Sequence, residues 1–497
     1  MGAVWLGAAC GRVQGDSEPE ACARCGAGAS GQGGTTDHAG SSGAPNENGR
    51  AGSSAHAGAS GVAGTSGRPN EPNEPNEPNE PNAGMPGAAG DTDPGMSDGP
   101  IVLNITLDAD QESTSPSVSA DGLRVAFATR AQNLAESNGA VEGVVYDCKQ
   151  RTFSATAPSE VPEDSGPPLL TADGKFVDFW TTRSWSTTDR NGARDYYRFE
   201  LANNGLRRVS SFSDPQLDAL AKLSGAVAPD GETGAFELDH LLETYFVDAE
   251  SGTSAPLTAD AAGSVPNLEV TEPAFSSDGR LLTFASAATN FLGTPRLGES
   301  QVYVQSLTTH QTEIVSMNSD GTLGNYQSVA PSISGDGARI AFQSAASNLV
   351  AGDTNGGSDI FVRDRRAGTT ERISVASDGT QGNGSSVAPT ISSNGRYVAF
   401  LSRADNLTLG DHNQRVDVYV HDLASHRTWR VSVDASGKQG AGSDCDTEHA
   451  GCVAPALSAD GEIVVFQSSA GDLVPGSAAG RSDIYRVEWT RLPLPMQ

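Results

Sequence analysis

Short apolar runs separated by polar turns recur along this chain at intervals of 48 to 66 residues. In every copy a glycine is followed five residues later by a phenylalanine that ends an apolar run, and the residue before the glycine is Asp except at Asn394. The seven pairs are Gly122/Phe127, Gly174/Phe179, Gly231/Phe236, Gly279/Phe284, Gly337/Phe342, Gly395/Phe400 and Gly461/Phe466. A repeat of this length is typical of a solenoid, a propeller or an array.

One repeat contains four short runs of β-type sequence. In the fifth copy these runs are 331–334, 338–344, 360–363 and 371–375, and the first two are joined by the turn Asp336-Gly337. Three consecutive apolar residues, 340–342, predict a strand that is buried on both faces, as in sheets that stack face to face. Four strands per repeat, without helical periodicity, predict an all-β fold that is a seven-bladed β-propeller.

The ring is predicted to close with a strand from near the amino end. The seventh copy lacks a fourth run, whereas the apolar run 101–108 precedes the first copy. Residues 101–108 are therefore expected to complete the last blade, and their deletion is expected to lower stability sharply. The propeller spans 101–490, with blades near 115–158, 166–212, 223–260, 271–320, 329–378, 387–435 and 453–489 plus 101–108.

Alternating strand directions sort the connections onto two faces. The turns between first and second strands, and between third and fourth strands, are short and share one face, the short-turn face. The second-to-third loops and the links between blades are longer and share the other, the long-loop face. Because binding residues concentrate on loops of rigid scaffolds, the long-loop face is the predicted binding face.

Composition restricts the class of partner. The chain has 497 residues and a formal charge of −30, from 62 acidic and 32 basic residues. Such a surface repels phosphates, so nucleic acid is excluded as a partner, whereas cations and basic proteins fit. A high net charge also serves solubility on its own, and a monomer is expected.

The first hundred residues have the composition of a disordered tether. The segment 26–100 is rich in Gly, Ala, Ser, Pro and Asn, and it has too few apolar residues to form a core. Within it, 70–82 reads NEPNEPNEPNEPN, which favours an extended polyproline-type spacer. The predicted architecture is therefore a propeller preceded by a disordered linker.

A membrane attachment is one reading of the extreme amino end. Residues 3–10 read AVWLGAAC, which resembles the end of a bacterial lipoprotein signal with Cys10 as the lipidated residue, so 1–25 is interpreted as a signal remnant. The alternative is an ordinary disordered amino terminus. No other segment approaches the ~18 apolar residues that span a bilayer.

The cysteines suggest an oxidising compartment. Cys445 and Cys452 lie in the long link before the last blade and are predicted to form a loop disulfide. Cys22 and Cys25 form a lone CxxC, for which a local disulfide or a solvated pair is expected. Cys148, after the third strand of blade 1, is interpreted as structural.

Three second-to-third loops repeat acidic or amide side chains at positions 1, 3 and 7. Calcium favours clusters of such oxygens at short spacing, so Ca²⁺ is the one cofactor that the sequence suggests. The alternative is an Asx-turn that shapes the loop and starts the third strand. The candidate ligands are Asp189, Asn191, Asp195, Asp353, Asn355, Asp359, Asp411, Asn413 and Asp417.

A second recurrence has a structural interpretation. An Asn or Asp stands six residues after the blade Phe in five copies, and this constant offset from a core residue indicates a turn cap. These residues are Asn133, Asn290, Asn348, Asn406 and Asp472. The sequence contains no GxSxG, HExxH or GxxxxGK[ST] motif, so no catalytic residue is predicted.

The pattern Pro-x-φ-Ser, Asp-Gly, φ-Ala-Phe resembles the TolB-like (WD40-like) β-propeller repeat. It is clearest in 331–342, 389–400, 116–127 and 455–466, and the resemblance covers about 101–490. It implies a propeller in a bacterial periplasm, at the outer membrane or outside the cell, with a protein partner. The separate α/β domain of TolB has no counterpart in this sequence.

Two functions follow as expectations. The first is a non-catalytic, cell-envelope or secreted scaffold that binds a protein or glycan through the long-loop face. The second is a propeller-type glycan hydrolase or lyase with acidic residues in the central channel. An enzyme should cluster carboxylates, His or Arg at the channel mouth, whereas a binding module should present a broad loop face.

Overall fold

The computed structural model describes residues 102–134, 142–156, 166–185, 189, 192–220, 222–238, 243–257, 263–291, 299–442 and 453–492. In these residues the chain forms seven four-stranded antiparallel sheets that follow one another around a ring. The fold is a seven-bladed β-propeller, as the repeat predicted. The predicted signal remnant and linker, with Cys10, and the predicted Cys445–Cys452 pair lie outside the described residues, as does Asn191. No helix within these ranges is long and apolar enough to cross a bilayer.

In blades 1 to 6 the strands run from the innermost to the outermost in chain order, whereas the outermost strand of blade 7 comes from near the amino end. Blade 1 consists of β2 (Ser113–Val118), β3 (Arg124–Thr129), β4 (Glu142–Asp147) and β5 (Thr152–Ala155). Blade 2 consists of β6 (Leu169–Leu170), β7 (Phe176–Thr181), β8 (Asp195–Glu200) and β9 (Gly205–Arg208). Blade 3 consists of β10 (Lys222–Val227), β11 (Thr233–Leu238), β12 (Glu243–Asp248) and β13 (Ser254–Pro256). Blade 4 consists of β14 (Val270–Phe275), β15 (Leu281–Ser286), β16 (Gln301–Ser306) and β17 (Thr312–Ile314). Blade 5 consists of β18 (Ser328–Ile333), β19 (Arg339–Ser344), β20 (Asp359–Asp364) and β21 (Thr369–Arg372). Blade 6 consists of β22 (Ser386–Ile391), β23 (Tyr397–Ser402), β24 (Asp417–Asp422) and β25 (Arg427–Arg430). Blade 7 is β26 (Ala456–Leu457), β27 (Ile463–Ser468), β28 (Asp483–Glu488) and β1 (Val102–Asn104); α1 (Pro215–Asp218) and a 3₁₀ turn (Trp489–Arg491) are the helical elements.

The core lies between blades, on both faces of the second strands. In β19 the consecutive residues Ile340, Ala341 and Phe342 are all fully buried, which confirms the predicted two-sided burial. Phe342 pairs across the ladder with Phe361 of β20, and their rings stack with centroids 5.8 Å apart. Equivalent stacked pairs occur in four other blades: Phe179/Tyr197, Phe284/Tyr303, Phe400/Tyr419 and Phe466/Tyr485.

The strand from near the amino end closes the ring. β1 pairs antiparallel with β28, with Val102 opposite Val487 and Asn104 opposite Tyr485, so it is the outermost strand of blade 7. The closing strand is therefore present as expected, but it spans Val102–Asn104 rather than the whole of 101–108. The fourth strand of blade 5 pairs as Thr369–Arg372, earlier than the predicted 371–375, because the tight turn to Gly368 lets pairing resume at once.

Four innermost strands share a strained bulge in front of a proline. Their pre-proline residues adopt φ of 52–57°, a region that residues with a side chain seldom occupy and that a following proline disfavours further; they are Ser115, Glu272, Ala330 and Ala388. Ladder pairing skips these residues and their prolines. Bonds from the preceding blade hold the bulges: Ala330 N–H donates to Glu272 Oε2 at 2.5 Å, and Ser115 N–H donates to Gln467 Oε1 at 3.0 Å.

On the short-turn face, backbone hydrogen bonds connect the turns of different blades around the channel. Backbone N–H groups of one Asp-Gly turn donate to a carbonyl of a neighbouring turn at 2.7–3.1 Å in five places: Ala120 to Ala172, Ala459 to Ala120, Asn394 to Ala459, Gly335 to Ser393, and Ser277 to Gly335. The hydroxyls of Ser277 and Ser393, from blades 4 and 6, lie only 3.2 Å apart past Gly335. The channel is therefore narrow at this end.

Candidate functional site

Buried aspartates start the third strands at the long-loop face. Asp359 and Asp417 are the first residues of β20 and β24, and both are at most 1% exposed. Hydroxyls from the segment after the fourth strand satisfy them: Ser374 donates to Asp359 Oδ1 at 2.6 Å, and Ser432 donates to Asp417 Oδ1 at 2.8 Å. The aspartate thus locks the third strand to the chain that leaves its blade.

A glutamine amide joins each of these aspartates to a second one in the loop. Gln381 Nε2 donates to Asp353 Oδ1 at 3.0 Å and to Asp359 Oδ2 at 3.2 Å. In blade 6 Gln439 Nε2 donates to Asp411 Oδ1 at 2.7 Å and to Asp417 Oδ2 at 2.8 Å. The spacing predicted the carboxylate pairs, but the glutamines come from the following link and were not foreseen.

A buried guanidinium supplies the counter-charge in both blades. Arg372 Nη1 lies 3.4 Å from Asp353 Oδ1, and Arg430 Nη1 lies 3.4 Å from Asp411 Oδ2. Burial, opposed by the hydrogen bond from the Ser432 hydroxyl and reinforced by the neighbouring Asp411, raises the pKa of Asp417 to about 6. Burial also raises the pKa of Asp359. Each cluster is therefore a polar network that ties its loop to the next link, and Nε and Nη1 of each guanidinium have no hydrogen-bond partner in it.

The loop asparagines of blades 5 and 6 act as turn formers. Asn355 Oδ1 accepts from Gly357 N–H at 3.0 Å, and Asn413 Oδ1 accepts from Arg415 N–H at 2.8 Å. Their amide nitrogens donate to the carbonyls of Gly382 and Gly440. This geometry matches the Asx-turn alternative. Across the described ranges no group of three or more His, Cys, Asp or Glu is arranged to hold a metal, and calcium binding in these loops stays a prediction.

The recurring asparagines clamp the links onto the second-to-third loops. Asn348 Oδ1 accepts from Asn325 N–H at 2.8 Å and Asn348 Nδ2 donates to Leu323 O at 2.8 Å, while Asn325 Oδ1 accepts from Ser347 N–H at 2.9 Å. The same Oδ1 contact is made by Asn133, Asn290, Asn406 and Asp472. These contacts agree with the structural interpretation and hold the long-loop face rigid.

Large apolar side chains are exposed on the same face. Val265 and Leu268 lie in the link before β14, Tyr326 lies in the link before β18, and Leu409 lies in the loop after β23. They are 37%, 37%, 51% and 66% exposed, and they are all the exposed large hydrophobic residues of the described chain. Sequence reasoning missed them, although apolar residues inside otherwise polar links were the available signal.

Two other groups bear on the chemistry of the scaffold. Glu272, on an innermost strand, accepts the Ala330 N–H, and burial raises the pKa of its carboxyl. Cys148 is a free, half-buried thiol whose pKa burial raises to about 11, so it is unreactive at neutral pH. The latter agrees with its structural interpretation.

Comparisons with known proteins identify the fold. No protein-family model matches the sequence, and no curated protein matches it. A solved oligogalacturonate lyase in complex with manganese is similar over 80% of this chain and 95% of its own, with a TM-score of 0.51 and 12% identity. TolB from Acinetobacter baumannii is similar over 70% and 75%, with a TM-score of 0.37 and 16% identity. The propeller domain of a protease from Pyrococcus furiosus is similar over 76% and 95%, with a TM-score of 0.44 and 11% identity. At 12% identity, the similarity to the lyase concerns the fold alone.

Proposed function

We propose that this protein is a non-catalytic scaffold of the bacterial cell envelope or its exterior, of the TolB-like repeat family, that binds a protein through its long-loop face. One observation carries the proposal: every exposed large hydrophobic residue of the described chain lies on that face. Aliphatic side chains such as Leu268 and Leu409 suit an apolar protein surface more than a glycan. The surrounding negative charge favours a partner with basic residues at the rim.

The points at which the chain enters and leaves the propeller are consistent with the long-loop face as the binding face. β28 runs from the long-loop face to the short-turn face, and β1 runs antiparallel beside it. The chain therefore enters the propeller at Val102 and leaves it at Leu492 on the short-turn side. We propose that an attachment through the segment before Val102 joins the propeller on the short-turn side, which leaves the long-loop face accessible to a partner.

A glycan lyase or hydrolase remains the second candidate, and the charge of the chain argues against a polyanionic substrate. The similar protein is an oligogalacturonate lyase, and oligogalacturonate is a polyanion, whereas this chain carries a formal charge of −30. An assay for unsaturated products from pectic and neutral oligosaccharides tests this candidate directly. If purified wild-type protein formed such products, the protein would be an enzyme and the proposal of a non-catalytic scaffold would be wrong.

The binding proposal is tested with surface variants of the full chain. Partners are captured from envelope extract, purified and titrated against wild type, the double variant Tyr326→Ser/Leu409→Ser and the control Arg280→Ala. Arg280 lies in a short-turn-face loop with its side chain 77% exposed. We expect about tenfold or greater loss of affinity in the double variant, as for exposed apolar anchors, and no change in the control. Equal binding by all three proteins, or loss only in Arg280→Ala, would contradict the proposal, and a glycan array run in parallel detects a sugar ligand.

A further inference from the structure

Two links of the long-loop face contact the same loop of blade 4. The link before β14 contacts the start of the loop between β15 and β16, where Asn267 N–H donates to Asn290 Oδ1 at 3.0 Å. The link before β18 contacts the end of that loop, where Gln301 Nε2 donates to Tyr326 O at 3.2 Å. The middle of this loop, 292–298, lies outside the described residues. The two links therefore lie on either side of one connection.

Each link carries an exposed apolar side chain directly after the residue that the recurring asparagine binds. Leu268 is 37% exposed and Tyr326 is 51% exposed. At the equivalent position the links before blades 6 and 7 have Gly384 and Gly442, where an added Cβ would meet backbone atoms of the next loop. The fold thus forms in those blades without a side chain at this position. Apolar side chains that are exposed on neighbouring blades are typical of a contact surface.

The two blades that precede these links are strongly acidic. Residues 222–325, which contain blades 3 and 4, have 14 Asp or Glu and 3 Lys or Arg. Residues 326–442, which contain blades 5 and 6, have 11 of each kind. Both counts include the undescribed residues. Glu269, directly after Leu268, and Asp320, in the link before β18, are exposed. Negative charge beside an apolar contact complements a cationic partner and repels an anionic one.

We propose that the surface formed by Leu268, Glu269 and Tyr326 binds a cationic amphipathic segment of the protein partner. An aliphatic or aromatic side chain of that segment packs against Leu268 and Tyr326, and its Lys or Arg residues lie beside Glu269 and Asp320. The Tyr326 ring also offers a face to a guanidinium or ammonium group. This assignment rests on the proposed protein-binding function, and it places the contact in the links of blades 4 and 5, away from Leu409 in blade 6.

Selection from a displayed library of short random peptides on the full-length protein tests the chemistry of this surface. We expect the selected peptides to carry a net positive charge and a large apolar residue. A selected peptide, synthesised with a fluorophore, is titrated by anisotropy against wild type, Leu268→Ser/Tyr326→Ser and Glu269→Lys/Asp320→Lys. Affinity should fall about tenfold or more in each double variant. It should also fall with added salt, because dissolved ions screen the attraction.

Two matched controls separate this surface from the rest of the molecule. Glu232→Lys/Glu250→Lys makes the same change in net charge through exposed carboxylates of blade 3 that lie on the short-turn face. Leu409→Ser removes an exposed apolar side chain of the long-loop face outside the surface. Both controls should bind the peptide like wild type. Because the apolar and charged pairs are independent, a folding defect in one, detected by its melting temperature, leaves the other decisive.

Enrichment of neutral or acidic peptides, no enrichment, or equal loss of affinity in Glu232→Lys/Glu250→Lys would overturn the assignment. Failure of the proposed function gives a different result. A captured partner that is lost in Tyr326→Ser/Leu409→Ser but binds Glu269→Lys/Asp320→Lys like wild type would keep the binding face and overturn the cationic segment. A partner that binds all of these variants equally would contradict both.

Discussion

One position of the third strand, buried in blades 4 and 6 and half-buried in blade 5, carries a different polar residue in each of these blades. His421, Gln305 and Arg363 each bond to the hydroxyl of a threonine nine residues after the blade's stacked aromatic, at 2.8–3.1 Å. Of these three side chains only the imidazole has an ordinary pKa near neutrality. Burial, together with the neighbouring His426, lowers the pKa of His421 to about 4, so the ring is neutral in the native protein at neutral pH.

This residue should make stability fall in mild acid. With a folded pKa of about 4 and an unfolded value near 6.5, the neutral ring contributes stability above pH 6.5 that is lost as pH falls through 4. Wild type should lose on the order of 3 kcal/mol more than His421→Gln between these limits. Gln305 shows that glutamine keeps the threonine contact. Urea unfolding across this pH range measures the difference, and parallel pH profiles for both proteins would refute it.

At the same scale, the sequence predicted carboxylates better than their partners. Asp353 and Asp359 were found because they lie six residues apart in one loop. Gln381 and Arg372 reach them from another connection, and only packing decides which residues meet there. In blades 5 and 6 a glutamine stands 22 residues after the aspartate that starts the third strand. This spacing is visible in the sequence, but only the structure shows that the two side chains meet. The exposure of Tyr326 likewise depends on how its link folds.

At the scale of elements, β1 is short for a strand that closes a ring. Its three residues are reinforced beyond the ladder: Asn104 Nδ2 donates to Asp483 Oδ2 at 3.0 Å, and Thr106 Oγ1 donates to Asp483 Oδ1 at 3.1 Å. Arg481 bonds both Asp483 and the carbonyl of Ala109. Asp483 thus plays the part in blade 7 that Asp359 plays in blade 5, with its hydroxyl partner drawn from the other end of the chain.

Removing this closure should destabilise the whole propeller. Thr106→Val takes a donor from the buried Asp483 and an acceptor from Ile484 N–H, at a cost of about 1–3 kcal/mol. Deletion of 101–108 should lower the melting temperature much further. Asp108→Ala, an exposed neighbour, serves as the control. An unchanged melting temperature in the deletion variant, measured by calorimetry, would show that blade 7 does not need β1.

The strands were predictable because their apolar triplets are local, whereas the pre-proline bulges were not. A residue before proline prefers extended backbone, yet Ala330 and its equivalents adopt positive φ. The bond from Ala330 N–H to Glu272 comes from the neighbouring blade. Tertiary contacts therefore override the local preference, and no reading of a single repeat contains that information.

At the scale of the molecule, the repeat spacing was enough to predict the ring. The net charge of the chain should govern how its thermal stability responds to salt. A formal charge of −30 opposes compaction through self-repulsion, which dissolved ions screen. The melting temperature at pH 8 should rise by about 1–3 °C from low salt to physiological ionic strength. Differential scanning calorimetry over a sodium chloride series measures this, with a neutral osmolyte as control. A fall with added salt would mean that ion pairs such as Arg208–Asp218 dominate instead.

The antiparallel pairing of β1 with β28 has a mechanical consequence. A load applied between Val102 and a ligand on the opposite face acts along the axis of β1, so the hydrogen bonds at this seam are stretched together in shear rather than peeled apart one by one. Shear is the more force-resistant geometry. A propeller pulled in this direction should therefore withstand tension that would unzip the same three-residue strand if it were drawn away sideways.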